Sequence, residues 1–261
     1  MFAMMPLSPR FAAALRASGK HLLISVLVAL AAAALVFRVW YPSPYHQLCG
    51  GQELFLLLVG VDVVCGPLLT LVAFNPAKSR GELWRDLGVI GLLQVASLAY
   101  GLHSVALARP VHLAFEGDRF RVVTVADLDL ATLPEAPPAL QSLSWTGPHL
   151  LGVRLLRNDD PEFLRSIQQS MQGLHPSFRP GRWVDYAQQL DEVRIALRPL
   201  SALRQHHPDQ ASRLDAAIRA TGLPEDRLGY LPLIAGRHDD WVVIVDRPEA
   251  QPRAWLPLDG W

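Results

Sequence analysis

Leu54-Phe55-Leu56-Leu57-Leu58-Val59-Gly60-Val61-Asp62-Val63-Val64-Cys65-Gly66-Pro67-Leu68-Leu69-Thr70-Leu71-Val72-Ala73-Phe74 decides the architecture of this chain. The run is apolar almost throughout and carries one ionisable carboxyl group, Asp62. About 20 such residues at about 1.5 Å per residue cross the roughly 30 Å of bilayer hydrocarbon, so the run reads as a transmembrane helix. Two more runs of this kind flank it, Leu22 to Trp40 and Leu87 to Ala108. The first follows Arg10, Arg16 and Lys20, as a signal peptide would. It is longer than the roughly 7–15 residues of a signal core, and it ends in Trp40-Tyr41-Pro42, an interfacial aromatic pair and a helix stop. An uncleaved anchor is expected.

Composition supports the same reading. The chain is 51% hydrophobic and only 18% charged, against about 25% charge in soluble domains. Residues 109–261 hold all acids except Glu53, Asp62, Glu82 and Asp86, giving 20 acids against 17 Arg and no Lys. That mildly acidic balance provides no basic face for nucleic acid. Lys and Arg in the short loops set the orientation. The N-terminal tail has Arg10, Arg16 and Lys20; residues 75–86 have Lys78, Arg80 and Arg85; residues 41–53 have none. The sequence therefore predicts a cytoplasmic tail (1–21), a membrane domain of three transmembrane helices (22–108) and a periplasmic domain (109–261). Arg38, the exception, can snorkel beside Trp40.

The C-terminal part has its own punctuation. Val111–Phe115 and Phe120–Val125 read as strands joined by a turn at Glu116-Gly117-Asp118-Arg119. His149–Leu156 reads as a third strand. Asp160-Pro161-Glu162 starts a helix that Gly173 closes. Asp185-Tyr186-Ala187-Gln188 resembles a capping box ahead of a helix ended by Pro199. A further helix covers Pro208–Ala220, ended by Gly222. Tyr230–Ala235 and Trp241–Asp246 form a second hairpin across residues 236–240, and Trp255–Leu258 adds an edge strand. The expected class is a three-helix transmembrane region plus a C-terminal α+β domain with a mainly antiparallel sheet.

Polar residues within the spans are candidate site residues, because they are costly there. Asp62 lies about 12 Å below the outer surface at about 1.5 Å per residue. Counting span three from Leu87 brings Tyr100 near that depth, with His103 on the same helix face. Asp62, Tyr100 and His103 are expected to form one intramembrane polar cluster, beside a kink at Pro67 and close helix approach at Gly60 and Gly66. Gln94 falls lower and on another side. Three roles stay open for Asp62: gluing spans two and three, gripping another protein's membrane helix, or carrying protons.

Catalytic motifs are missing. The nine histidines include no His-Glu-x-x-His, and there is no Cys-x-x-Cys, no Gly-x-Ser-x-Gly and no phosphate loop. We expect no enzyme activity, no catalytic residues, no metal and no cofactor. Cys49 and Cys65 are expected as free thiols, Cys49 reactive from outside and Cys65 protected, since their separation along a helix exceeds the roughly 7 Å limit for a bridge.

The stretch Leu57–Val72 resembles the signature of the type IV pilin accessory protein family, of the TfpX/TfpZ type. Trp40-Tyr41-Pro42, Tyr100-Gly101-Leu102-His103, Ala108-Arg109-Pro110-Val111 and Tyr230-Leu231-Pro232-Leu233 carry the same resemblance. Gly-Val-Asp-x-x-x-Gly-Pro is its most specific part, because Asp and Pro rarely share an apolar span, and Cys65 departs from the aliphatic residue expected there. The resemblance implies a chaperone-like bacterial inner-membrane protein that assists its cognate major type IV pilin in pilus assembly. Its partners would be that pilin subunit, the lipid bilayer and the pilus assembly machinery. It also makes Asp62, Tyr100, His103 and Pro67 candidate pilin contacts. The alternatives are a membrane-anchored periplasmic ligand sensor and, behind it, a membrane enzyme.

Overall fold

The computed structural model describes residues 9–236 and 238–261. The start of the expected tail (1–8) and Arg237 of the expected hairpin turn lie outside the described residues. The chain divides into two compact units. One runs to His46 and includes Gly50–Leu107; the other comprises Gln47–Cys49 and Ala108–Trp261.

The first unit is helical. It contains α1 (Pro9–Ala34) with a π-helical end at Leu35–Trp40, α3 (Gly51–Ala73) and α4 (Arg80–Leu107), and the single turn α2 (Tyr45–Leu48) straddles the division between the units. Three helices, Pro9–Trp40, Gly51–Ala73 and Arg80–Leu107, are long and apolar enough to cross a membrane. Their outward side chains are apolar: Leu57 is 70% exposed, Val72 76% and Leu92 70%. Such faces are unfavourable in water at this extent and at home in hydrocarbon, as membrane anchoring requires. α3 packs against both α1 and α4. Glycines set the α3–α4 spacing. A Cβ on Gly66 would fall 2.0 Å from Gln94 Nε2, and one on Gly101 2.2 Å from Leu58 Cδ1. The Tyr41 hydroxyl donates to the Val105 carbonyl at 2.8 Å, tying the end of the π segment to α4.

The second unit is built on a seven-stranded sheet. Its strands are β1 (Pro110–Phe115), β2 (Phe120–Thr124), β3 (His149–Val153), β4 (Trp183–Val184), β5 (Leu228–Ala235), β6 (His238–Asp246) and β7 (Gln251–Leu256), in the order β4-β3-β1-β2-β5-β6-β7. Both expected hairpins form, with Phe115 opposite Phe120 and Leu233 opposite Trp241. The expectation of a mainly antiparallel sheet is corrected: the sheet is mixed, because β3 runs parallel to β1 and β5 parallel to β2. A tight turn forces its two strands to be antiparallel, and that much is local. The junctions between hairpins are made by distant segments, and these are the parallel ones.

The helices of this unit are α5 (Phe163–Met171), α6 (Leu190–Ala196), α7 (Leu200–His206) and α8 (Ala211–Thr221). Asp185 accepts a bond from the Ala187 amide at the head of the turn leading into α6, and Gly222 (φ 68°) closes α8 in the left-handed region. Leu200, Leu203, Leu214 and Ile218 from α7 and α8 pack on Leu228, Tyr230, Val242, Ile244 and Leu256 of the sheet. A second cluster joins Val111, Val123, Leu151, Val153 and Trp183 beneath the loops that follow β2. α7 and the two-residue β4 were not expected from the sequence.

Candidate functional site

The polar residues of the helical unit meet in a chain of hydrogen bonds. The Ser18 hydroxyl on α1 donates to the carbonyl of Pro67 at 2.8 Å. One turn on, His21 Nδ1 lies 2.5 Å from Thr70 Oγ1, and His21 Nε2 lies 2.5 Å from Gln94 Oε1. Gln94 Nε2 donates to the Asp62 carbonyl at 3.0 Å. With Gln94 Oε1 as an acceptor, Nε2 of His21 is the donor and Nδ1 accepts from Thr70. All three long helices are thus joined by side chains that hydrocarbon leaves no other means of satisfying.

Pro67 has a definite part here. It and Gly66 are buried, and its carbonyl receives the Ser18 hydroxyl. Gly66 gives Gln94 the room to reach α3, whereas nothing lies within 4 Å of a Cβ on Gly60. The close approach read into both glycines belongs to Gly66.

The Asp62 carboxylate has no hydrogen bond among the described residues. It is half-buried and lines a cavity of about 180 Å³ with His21, Ser25, Gly91 and Gln94. Tyr100 and His103 are not brought to it: Tyr100 is 75% exposed and His103 is exposed too. Gln94, expected lower and elsewhere, stands in that place. The reason is the length of the α3–α4 connection. α4 begins at Arg80, seven residues before the apolar run at Leu87, so counting from Leu87 sets every α4 residue too near the α3–α4 loop. His21 was missed for a like reason. It sits just before the first apolar run, yet α1 already spans it. A polar side chain recurring near the same level on three apolar helices was the available signal.

The second unit has its own polar features. An open cleft of about 870 Å³ is edged by Arg154, Arg157, Arg165, Arg179 and Arg182, interleaved with Glu135, Asp159, Asp160 and Glu162. Opposite charges interleave, and Arg182 bonds Glu162 at 3.3 Å, so the cleft is not a strong anion site. Glu116 and Arg121 form a buried ion pair at 2.9 Å that holds the first hairpin, with the Ser177 amide donating to Glu116 Oε1 at 3.2 Å. His112 is 1% exposed, packs edge-on to Trp183 at 4.7 Å, and neither ring nitrogen has a partner in hydrogen-bond geometry. Burial, with the charge of the His149 ring adding to it and a contact to the His149 backbone opposing it, lowers its pKa to about 4. Among the described residues no group of three or more His, Cys, Asp or Glu side chains could hold a metal ion. Cys49 and Cys65 are free thiols. Cys49 is half-buried, and burial pushes its thiol up to about 12, which slows a thiol that the sequence expects to react from outside.

Comparison with known proteins adds to this geometry. The family model described as fimbrial assembly protein FimB matches residues 9–50, the stretch that contains Ser18 and His21. The chain is 37% identical over 239 residues to the fimbrial assembly protein of serogroup E1 from Dichelobacter nodosus, covering 91% of this chain and 93% of that protein. The same figures hold for the fimbrial assembly protein of serogroup I. The protein of serogroups C1 and C2 is 43% identical over 127 residues, 49% of this chain and 97% of that protein. No solved structure matches.

Proposed function

The chain belongs to the fimbrial assembly protein family, and we propose that it is a bacterial inner-membrane accessory protein that helps its cognate major type IV pilin become a pilus. The observation that carries this reading is the likeness to fimbrial assembly proteins along 91% of the chain. The role is chaperone-like: the protein holds a subunit and performs no chemistry. Its N-terminus is cytoplasmic and residues 109–261 are periplasmic, a direction supported by Arg10, Arg16, Lys20, Lys78, Arg80 and Arg85 lying on one side of the spans. The membrane unit and the outer unit each offer a surface to the pilin. In the membrane that surface includes Asp62, and also Tyr100 and His103, whose exposure leaves them open to a partner helix, while the candidate Pro67 is buried and supports it from beneath.

In-vivo crosslinking followed by pull-down of the tagged full-length chain tests the reading. The cognate pilin should be the main protein recovered. Recovery of the chain at normal level without pilin would overturn it.

A further inference from the structure

The three long helices form a trough. α3 is its floor, because it packs on both α1 and α4, while α1 and α4 meet chiefly through the His21–Gln94 bond. Above that floor, Ile24, Ser25 and Val28 of α1 face Gly91, Val95 and Leu98 of α4 across the cavity of about 180 Å³, and Asp62 lies at its base. Ser25 and Gly91 are small, which lets a further backbone come close. Val28 and Val95 are 43% and 66% exposed on the walls. Gln94 and His21 spend their hydrogen-bonding atoms on each other, on Thr70 and on the Asp62 carbonyl. The Asp62 carboxylate is left over, and an acid without a partner at this depth is costly.

We propose that this trough seats a fourth apolar helix, supplied by the pilin subunit, whose cationic group meets the Asp62 carboxylate. The inference rests on the accessory reading above and names the place and chemistry of its contact. The charge of Asp62 selects the occupant: a purely apolar helix would fill the trough and leave the carboxylate unpaired. A seated helix would complete a four-helix arrangement over a preformed polar floor.

Photo-crosslinking in cells tests this with the full-length protein. A crosslinking amino acid is placed at Val28 or Val95 in the trough, and at Leu57, which is 70% exposed, outside it. The trough positions should capture the pilin at least about fivefold more than Leu57, and Asp62→Asn should remove that excess at unchanged membrane abundance. Equal capture from all three positions, capture of a second copy of this chain, or an excess untouched by Asp62→Asn overturns the proposal. Pilin recovered in the pull-down without capture from Val28 or Val95 overturns the trough alone. Failure of the pull-down overturns the trough and the accessory reading together.

Discussion

Single residues carry the sharpest consequences. His112 is buried against Trp183, and its pKa falls to about 4. The unfolded chain takes up a proton near 6.5, and the folded chain resists it. Stability of the C-terminal unit is therefore complete above about pH 6.5 and is lost as pH falls towards 4, by about 3 kcal/mol from this residue. Thermal unfolding of His112→Phe against the parent over that range should show a flatter pH dependence; parallel curves would refute the assignment. Glu116 and Arg121 make the opposite case, a buried pair in which each charge needs the other. Glu116→Ala strands Arg121 and should cost about 3–5 kcal/mol in denaturant unfolding. Cys49, with its thiol near 12, should react with an impermeant maleimide at neutral pH at least about tenfold more slowly than a cysteine placed at exposed Asn158. Equal rates would contradict the raised thiol pKa.

At the scale of elements, the α3–α4 contact depends on Gly66. A side chain there collides with Gln94, while Gly60 faces open space. Gly66→Val should lower membrane abundance or detergent stability, and Gly60→Ala should leave both within experimental error. Similar losses from both would mean that Gly66 is not the contact point. Much of this level is legible in the sequence. Long apolar runs, Gly117 and Gly222 as turn and cap, and strand alternation on either side of Glu116–Arg119 are local signals, and the elements form where they indicate. What the sequence does not display is how elements meet. The parallel joints β1–β3 and β2–β5 link segments far apart in the chain. The pairing of Gln94 with Asp62 depends on a loop only as long as residues 74–79, which hydropathy alone blurs because α4 begins in polar residues. α7 is short and sits directly behind Pro199, which reads as a helix stop and serves here as its N-cap.

At the scale of the whole molecule, a helical unit with a polar floor is joined to a C-terminal unit built on a mixed sheet. Its direction in the membrane is open to a direct check. Alkaline phosphatase fused after Trp261 should be active and fused after Arg80 inactive, as the loop charges require; the reverse pattern would place the C-terminal unit in the cytoplasm. The central claim is that this chain is needed to turn its pilin into pili, and counting surface pili in a strain deleted for it is the most direct measurement. With pilin synthesis held at the parental level, the deletion should reduce surface pili at least about tenfold, and the full-length chain supplied in trans should restore them. Parental numbers of pili on the deleted strain, at equal pilin level, would contradict the account.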